Sequence, residues 1–168
     1  ETAVREGGKP IADTRAEVMR AIDSVKATIA ALRGEAGETV PMGLTPATGH
    51  RMAFTQREPV GVAVAVSAFN HPLNLIVHQV APAVATGCPV IVKPAADTPL
   101  HEAGLPKDRA QVIVTSDNAV AERLVTDSRV GFFSFIGSAG VGWMLRSKLA
   151  PGTRCALEHG GAAPVIVT

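Results

Sequence analysis

Aromatic side chains are scarce: five phenylalanines, one tryptophan and no tyrosine make up 4% of the 168 residues, although 46% of the chain is hydrophobic. A core so poor in rings has to be built from Ala, Val, Ile and Leu, which suits the sheet interior of an α/β protein better than a β-sandwich. Charge of one sign is lacking too. The formal net charge is +1 with Lys and Arg scattered, so no basic face marks a nucleic-acid binder. No apolar run approaches the roughly 20 residues of a membrane-spanning helix. The opening Glu1-Thr2-Ala3-Val4-Arg5-Glu6 has no apolar secretory core. Only two cysteines are present, without metal-type spacing, so a reducing compartment and no disulfide framework are expected. Together these absences predict a cytoplasmic protein, long enough for one domain with a real core.

The chain is organised around residues 61–96, GVAVAVSAFNHPLNLIVHQVAPAVATGCPVIVKPAA. Val62-Ala63-Val64-Ala65-Val66 is an unbroken, partly β-branched apolar run, the pattern of a strand buried on both faces. Asn70 interrupts it, and Pro72 fits the first turn of a helix, where a missing N–H costs nothing. Leu73, Ile76, Val77, Val80 and Val84 then recur at three- and four-residue spacing, one stripe of a helix that Gly87 ends. Val90-Ile91-Val92 is a second short strand running into Lys93-Pro94. This βαβ unit predicts parallel strands, a right-handed crossover, and ligands beyond the carboxyl ends of the strands. The two polar exceptions, Asn70 and Lys93, fall at those ends.

Upstream, Thr14-Arg15-Ala16-Glu17 has the form of a capping box, and Val18, Ile22, Val25, Ile29 and Leu32 mark one helical face before Gly34. Across residues 37–58, Pro41, Gly43, Pro46 and Gly49 leave room only for short strand pieces in a surface loop or hairpin. Downstream, residues 110–114 read as a strand, 119–126 as a helix with Val120, Leu124 and Val125 inward, and 130–136 as another strand. The turn 137–142 leads into a helix through Trp143, Leu145 and Leu149, and 154–157 and 164–167 read as two last strands. The expected fold is α/β, a doubly wound parallel sheet.

Glu58-Pro59-Val60-Gly61, Phe69-Asn70-His71-Pro72, Ala81-Pro82-Ala83, Gly87-Cys88-Pro89-Val90 and Lys93-Pro94-Ala95, in this order and spacing, resemble the aldehyde dehydrogenase superfamily. Phe135-Ile136-Gly137-Ser138 and Leu157-Glu158-His159-Gly160-Gly161 extend the match. The resemblance implies an NAD- or NADP-dependent enzyme that oxidises an aldehyde to a carboxylic acid through a thioester, with this chain as its Rossmann-like cofactor-binding part. It divides the chain into an N-terminal helical part (1–38), a ribbon reaching another subunit of a homo-oligomer, a dimer or tetramer (39–58), and the cofactor-binding α/β domain (59–168). A first residue other than Met and a last apolar run at 165–167 fit a fragment that stops before the catalytic domain. One departure stands out. Members carry a full helix before the Glu-Ala-Gly-Leu-Pro turn, whereas only His101 separates Leu100 from Glu102 here. Parallel crossovers need a dozen or more residues, so a skipped segment is expected. A non-catalytic nucleotide-binding or interaction module is the alternative of a different class.

On the residues alone, 137–142 is either an anion-facing strand–helix turn or simply a tight one. Likewise Lys93 is a lysine at a strand end, Asn70 a helix N-cap, and Glu158 a surface carboxylate. The resemblance implies more. It puts Val66, Phe69, Lys93, Ala96, Gly137, Ser138, Val141 and Gly160 against the cofactor, with Ser138 at the pyrophosphate and Lys93 at the adenosine ribose. Ala96 stands where many members have a glutamate that repels a 2′-phosphate, so NADP becomes admissible beside NAD, with Asp97 next door working the other way. It makes the Asn70 amide a donor to the oxyanion of a tetrahedral intermediate and Glu158 the base that activates the deacylating water. Ile136 replaces a frequent threonine. His159 replaces a frequent leucine, and would bond Glu158, meet a polar substrate or tolerate exposure. Cys88 resembles a packed family cysteine, and Cys155 faces away from Glu158 by strand alternation. The family's catalytic cysteine lies beyond the Glu-x-Gly-Gly motif, outside this sequence. No metal site is expected.

Overall fold

The computed structural model describes residues 2–95 and 109–160. In order, its elements are α1 (Thr2–Gly7), α2 (Ile11–Gly34), β1 (Thr39–Val40), β2 (Ala53–Phe54), β3 (Val62–Val66), α3 (Pro72–Ala85), β4 (Val90–Lys93), β5 (Ala110–Val112), α4 (Asn118–Val125), β6 (Val130–Gly137), α5 (Ala139–Arg146) and β7 (Arg154–His159). β1 and β2 form a small antiparallel ribbon. The other five strands form one parallel sheet in the order β5-β4-β3-β6-β7.

The sheet is doubly wound for a simple reason. From β3 the chain moves one way, through α3 to β4; from β6 it moves the other way, through α5 to β7. Right-handed crossovers in opposite directions place their helices on opposite faces. Two apolar clusters result. Ala63, Ala65, Val90, Val92 and Phe132 pack with Ile76 and Val80 of α3, while Val64, Val66, Ile91, Phe133, Phe135 and Leu157 pack with Val125 and Leu145 of α4 and α5. β3 serves both, which is why its run is apolar throughout. Travel reverses between β3 and β6, and a crevice beyond the carboxyl ends of such a pair is where doubly wound sheets bind ligands. Gly87, at φ +78°, supplies the left-handed residue that lets the chain leave α3 for β4.

Several elements depart from expectation. Thr14 does not cap α2: Pro10 precedes the helix, and the Thr14 hydroxyl donates back to the Pro10 carbonyl at 3.1 Å. Glu17 turns away to α3, so there is no capping box. The apolar stripe Val18, Ile22, Val25, Ile29 and Leu32 is 37–48% exposed, and α2 buries Thr14, Glu17 and Ala21 instead. Small and polar residues make this helix–helix contact, with Ser24 Oγ and His78 Nε2 2.8 Å apart across it. Val120 points outward from α4, whose fully buried residue is Val125. Trp143 is exposed, Leu145 is the buried residue of that turn, and α5 ends before Leu149. The strand expected at 164–167 and the step after Leu100 lie outside the described residues. Among the described residues, no helix is long and apolar enough to cross a membrane.

Candidate cofactor and catalytic site

The sheet register gathers nearly all the candidate residues at one edge. Val66 pairs with Lys93 on one side and Phe135 on the other, and Ile136 and Gly137 pair with Glu158 and His159. These are the carboxyl ends of β4, β3, β6 and β7, with Asn70 in the turn after β3 and Ser138 in the turn after β6. Glu158 stands two strands from β3, about 10 Å at ordinary strand spacing. Ala96 lies outside the described residues.

Within that edge the residues divide by face. Val66 packs in the α5-side cluster, and Lys93, two residues after Ile91 of that cluster, shares its side by strand alternation. The α5 N-terminus lies on the same side. Ser138 occupies its N-cap position in extended geometry without making the usual side-chain cap bond. The hydroxyl and the first N–H groups of the helix are therefore free to meet an anion, with the positive end of the helix behind them. Gly142 sets how near that helix comes to the sheet. A Cβ there would overlap the His159 ring and stand 3.0 Å from the Phe135 ring, so only glycine permits the approach. These features fit a dinucleotide: uncapped amides and a hydroxyl for its pyrophosphate, and a cation, Lys93, with no ion pair among the described residues. Phe69 is 71% exposed just beyond β3, Val141 is exposed on the first turn of α5, and Gly160 is exposed after β7.

Glu158 belongs to the opposite face, on the side where Asn70 sits in the turn leading into α3. Phe132 packs in the α3-side cluster and Ser134 bonds α3 through Gln79, so by alternation Ile136 and its register partner Glu158 project to that side. α3 starts at the same edge. Its N-cap is His71, not Asn70, and makes no side-chain cap bond. Glu17 does the capping from α2: Oε1 accepts the N–H groups of Leu73 at 2.8 Å and Asn74 at 3.0 Å, while Oε2 takes a hydrogen bond from Lys9 Nζ at 2.6 Å. Lys9 also donates to the Asn70 carbonyl at 3.1 Å and meets His71 Nδ1 at 2.8 Å. Burial pushes the Glu17 carboxyl up, but the Lys9 hydrogen bond and charge and the Asn74 and Leu73 amides outweigh it and hold its pKa below the ordinary 4.5. The Glu17 side chain is 1% exposed, and losing the Lys9 partner of so buried a carboxylate costs about 3–5 kcal/mol. Asn70 itself is exposed, and its side-chain amide has no hydrogen-bond partner among the described residues.

The model of the aldehyde dehydrogenase family matches residues 1–168. The chain belongs to this family. It is 39% identical to a 3-sulfolactaldehyde dehydrogenase from Priestia aryabhattai over 176 aligned residues, covering 99% of this chain and 37% of that protein. Among solved structures, aldehyde dehydrogenase 21 from Physcomitrella patens in complex with the product succinate superposes with a TM-score of 0.87 at 34% identity, over 97% of this chain and 36% of that one. A glyceraldehyde-3-phosphate dehydrogenase from Methanocaldococcus jannaschii complexed with NADP gives 0.82 at 31% identity, over 95% and 36%. The chain thus spans little more than a third of the length of these family members.

Against this aldehyde dehydrogenase frame, His159 needs correcting. It does not reach Glu158, and its ring nitrogens do not reach solvent. Its ring turns to the α5 side, 6.2 Å from the rings of both Phe135 and Trp143, and both ring nitrogens are buried without a partner among the described residues. Cys155 shares that side with Leu157, opposite Glu158 as expected, and Cys88 is packed under α3. Three residues escaped sequence reasoning. Gly142 looked like one glycine of a turn. Gln79 drew no reading at all, yet its Nε2 donates to the carbonyls of Val66 and Ser134, both at 3.2 Å, and ties α3 to the site edge. Glu17 was assigned to the wrong helix. None has a local signal, since each partner is distant in sequence.

Proposed function

We propose that this chain is the cofactor-binding part of an enzyme that oxidises an aldehyde to a carboxylic acid with NAD or NADP through a thioester on a cysteine supplied from outside these residues. The observation that carries the reading is the meeting at one sheet edge, across the β3/β6 reversal, of an uncapped helix N-terminus on one face and a free amide and a carboxylate on the other. The bound nicotinamide would supply the hydride acceptor. Gly137, Ser138 and the first turn of α5 would hold the pyrophosphate, Val66, Phe69, Val141 and Gly160 would line its path, and Lys93 and Ala96 would meet the adenosine ribose. The Asn70 amide would donate to the oxyanion as a tetrahedral centre forms, and Glu158 would take a proton from the water that releases the acid. The relative that acts on sulfolactaldehyde and the structure holding succinate support a small polar aldehyde as substrate. The β1–β2 ribbon would pack on another subunit of a homo-oligomer, and the protein would work in the cytoplasm.

The test is Glu158→Gln in the intact protein. Acid release should slow by about 10²–10⁴-fold, the usual contribution of a general base, while the first turnover of cofactor reduction and cofactor affinity stay near the parent values. Unchanged steady-state turnover removes Glu158 from this role, and binding of the cofactor with no reduction by any aldehyde favours a non-catalytic nucleotide-binding module.

A further inference from the structure

Resting on the reading of Asn70 as an oxyanion donor, we infer that Lys9 and Glu17 are positioning residues that aim its side chain. The turn from Asn70 to Asn74 is fastened at both ends by a single upstream segment. At its start, Lys9 Nζ holds the Asn70 carbonyl at 3.1 Å. This fixes the peptide plane between residues 70 and 71, hence ψ of Asn70 and the frame from which its side chain leaves the backbone. At its end, Glu17 Oε1 holds the amides of Leu73 and Asn74 at 2.8 and 3.0 Å. The 2.6 Å bond between Lys9 and Glu17 joins the two fastenings, and the contact of Lys9 with His71 Nδ1 at 2.8 Å fills the space between them. The contrast with the side chain of Asn70 is the point. Its backbone is tied by a partly buried ion pair, whereas its amide is exposed and has no partner among the described residues, so it is held in place without being used up. A helix cap alone needs the Glu17 bonds only; nothing in capping calls for a cation on the carbonyl of the residue before the N-cap.

Single loss of Lys9 leaves Glu17 buried without its cation and can unfold the protein, so both charges are removed together, in Lys9→Met/Glu17→Gln. The intact protein, its Asn70→Ala variant, the paired variant and the triple variant are compared by single-turnover cofactor reduction at saturating aldehyde and by cofactor titration. Asn70→Ala should slow the first turnover by about 10²-fold, the usual effect of removing one oxyanion donor. The paired variant should slow it about tenfold with cofactor affinity unchanged, because a misplaced donor loses part of its effect. In the Asn70→Ala background the pair should make no further difference, since no amide remains to be aimed. A paired variant as fast as the parent overturns the inference, and so does one that slows the Asn70→Ala protein by the same factor, which marks a general effect on the fold. If Asn70→Ala itself leaves the first turnover unchanged, the oxyanion reading fails and the positioning role falls with it.

Discussion

In the slot between Phe135 and Trp143, the His159 ring carries two nitrogens out of contact with water, and neither has a partner among the described residues. In the unfolded chain each bonds to water, and a buried polar group left unsatisfied costs about 1–3 kcal/mol. Leucine has a similar volume and no polar atom. The ring edge already lies against Gly142, where even a Cβ would overlap it, so leucine has to stay within the outline of the ring it replaces. Against this gain stands the loss of edge and face contacts with the two flanking rings, about 0.5–1.5 kcal/mol per aromatic pair. The difference leaves His159→Leu more stable by about 1–2 kcal/mol, a rise in Tm of about 2–8 °C for a domain of this size. Thermal unfolding of parent and variant, followed by circular dichroism and repeated in urea, measures it. A Tm that stays put or falls refutes the reasoning, because the nitrogens would then be paired in solution and the slot would not be apolar.

Stability should also fall on acidification in a way that Glu17 controls. Its folded pKa lies below the ordinary 4.5, so the unfolded state binds the proton first. The contribution of Glu17 is complete above about pH 4.5 and is lost as pH drops through the folded pKa, and denaturant titrations should show a shallower acid limb in Glu17→Gln. Deleting the β1–β2 ribbon should convert an oligomer into a smaller species by light scattering, and a parent protein that is already monomeric refutes the intersubunit role. Ala96→Glu should weaken NADP binding more than NAD binding in calorimetric titrations, since two unit charges about 4 Å apart at an effective dielectric of 20 repel by roughly 4 kcal/mol. Equal weakening of both cofactors would show that position 96 does not set the preference.

The parts of the fold that were legible are those in which neighbours in sequence are neighbours in space. The run at 62–66, the helical stripe of α3 and the short strand before Lys93 each announce themselves through periodicity, and all lie where expected. Parallel pairing followed from the length of the connection. Periodicity misled at α2. Its apolar stripe is regular, yet the face packed on α3 carries Thr14, Glu17 and Ala21, because a buried ion pair and a small residue let the helices approach there. The hydroxyl–carboxylate spacing of Thr14 and Glu17 is a local rule that lost to a tertiary one. Two unpaired amides at the start of α3 attract a carboxylate more strongly than α2, already begun at Pro10, has any use for it.

The adjacent residues Glu158 and His159 carry this argument to the site itself. In the sequence they share one motif, and a hydrogen bond between them is an obvious thought. Strand alternation sends them to opposite faces of β7, and travel in opposite directions from β3 and β6 gives those faces different work: one meets α3 and the turn that carries Asn70, the other meets α5 and its uncapped turn. A change at 158 should therefore appear in turnover with little change in Tm, while the replacement of 159 by leucine should appear in Tm with little change in turnover. Variants at the two positions made in one background, measured both ways, separate the faces. Coupled effects, in which each change moved both quantities alike, would mean that the edge of the sheet acts as a single pocket and that the division by face has no functional content.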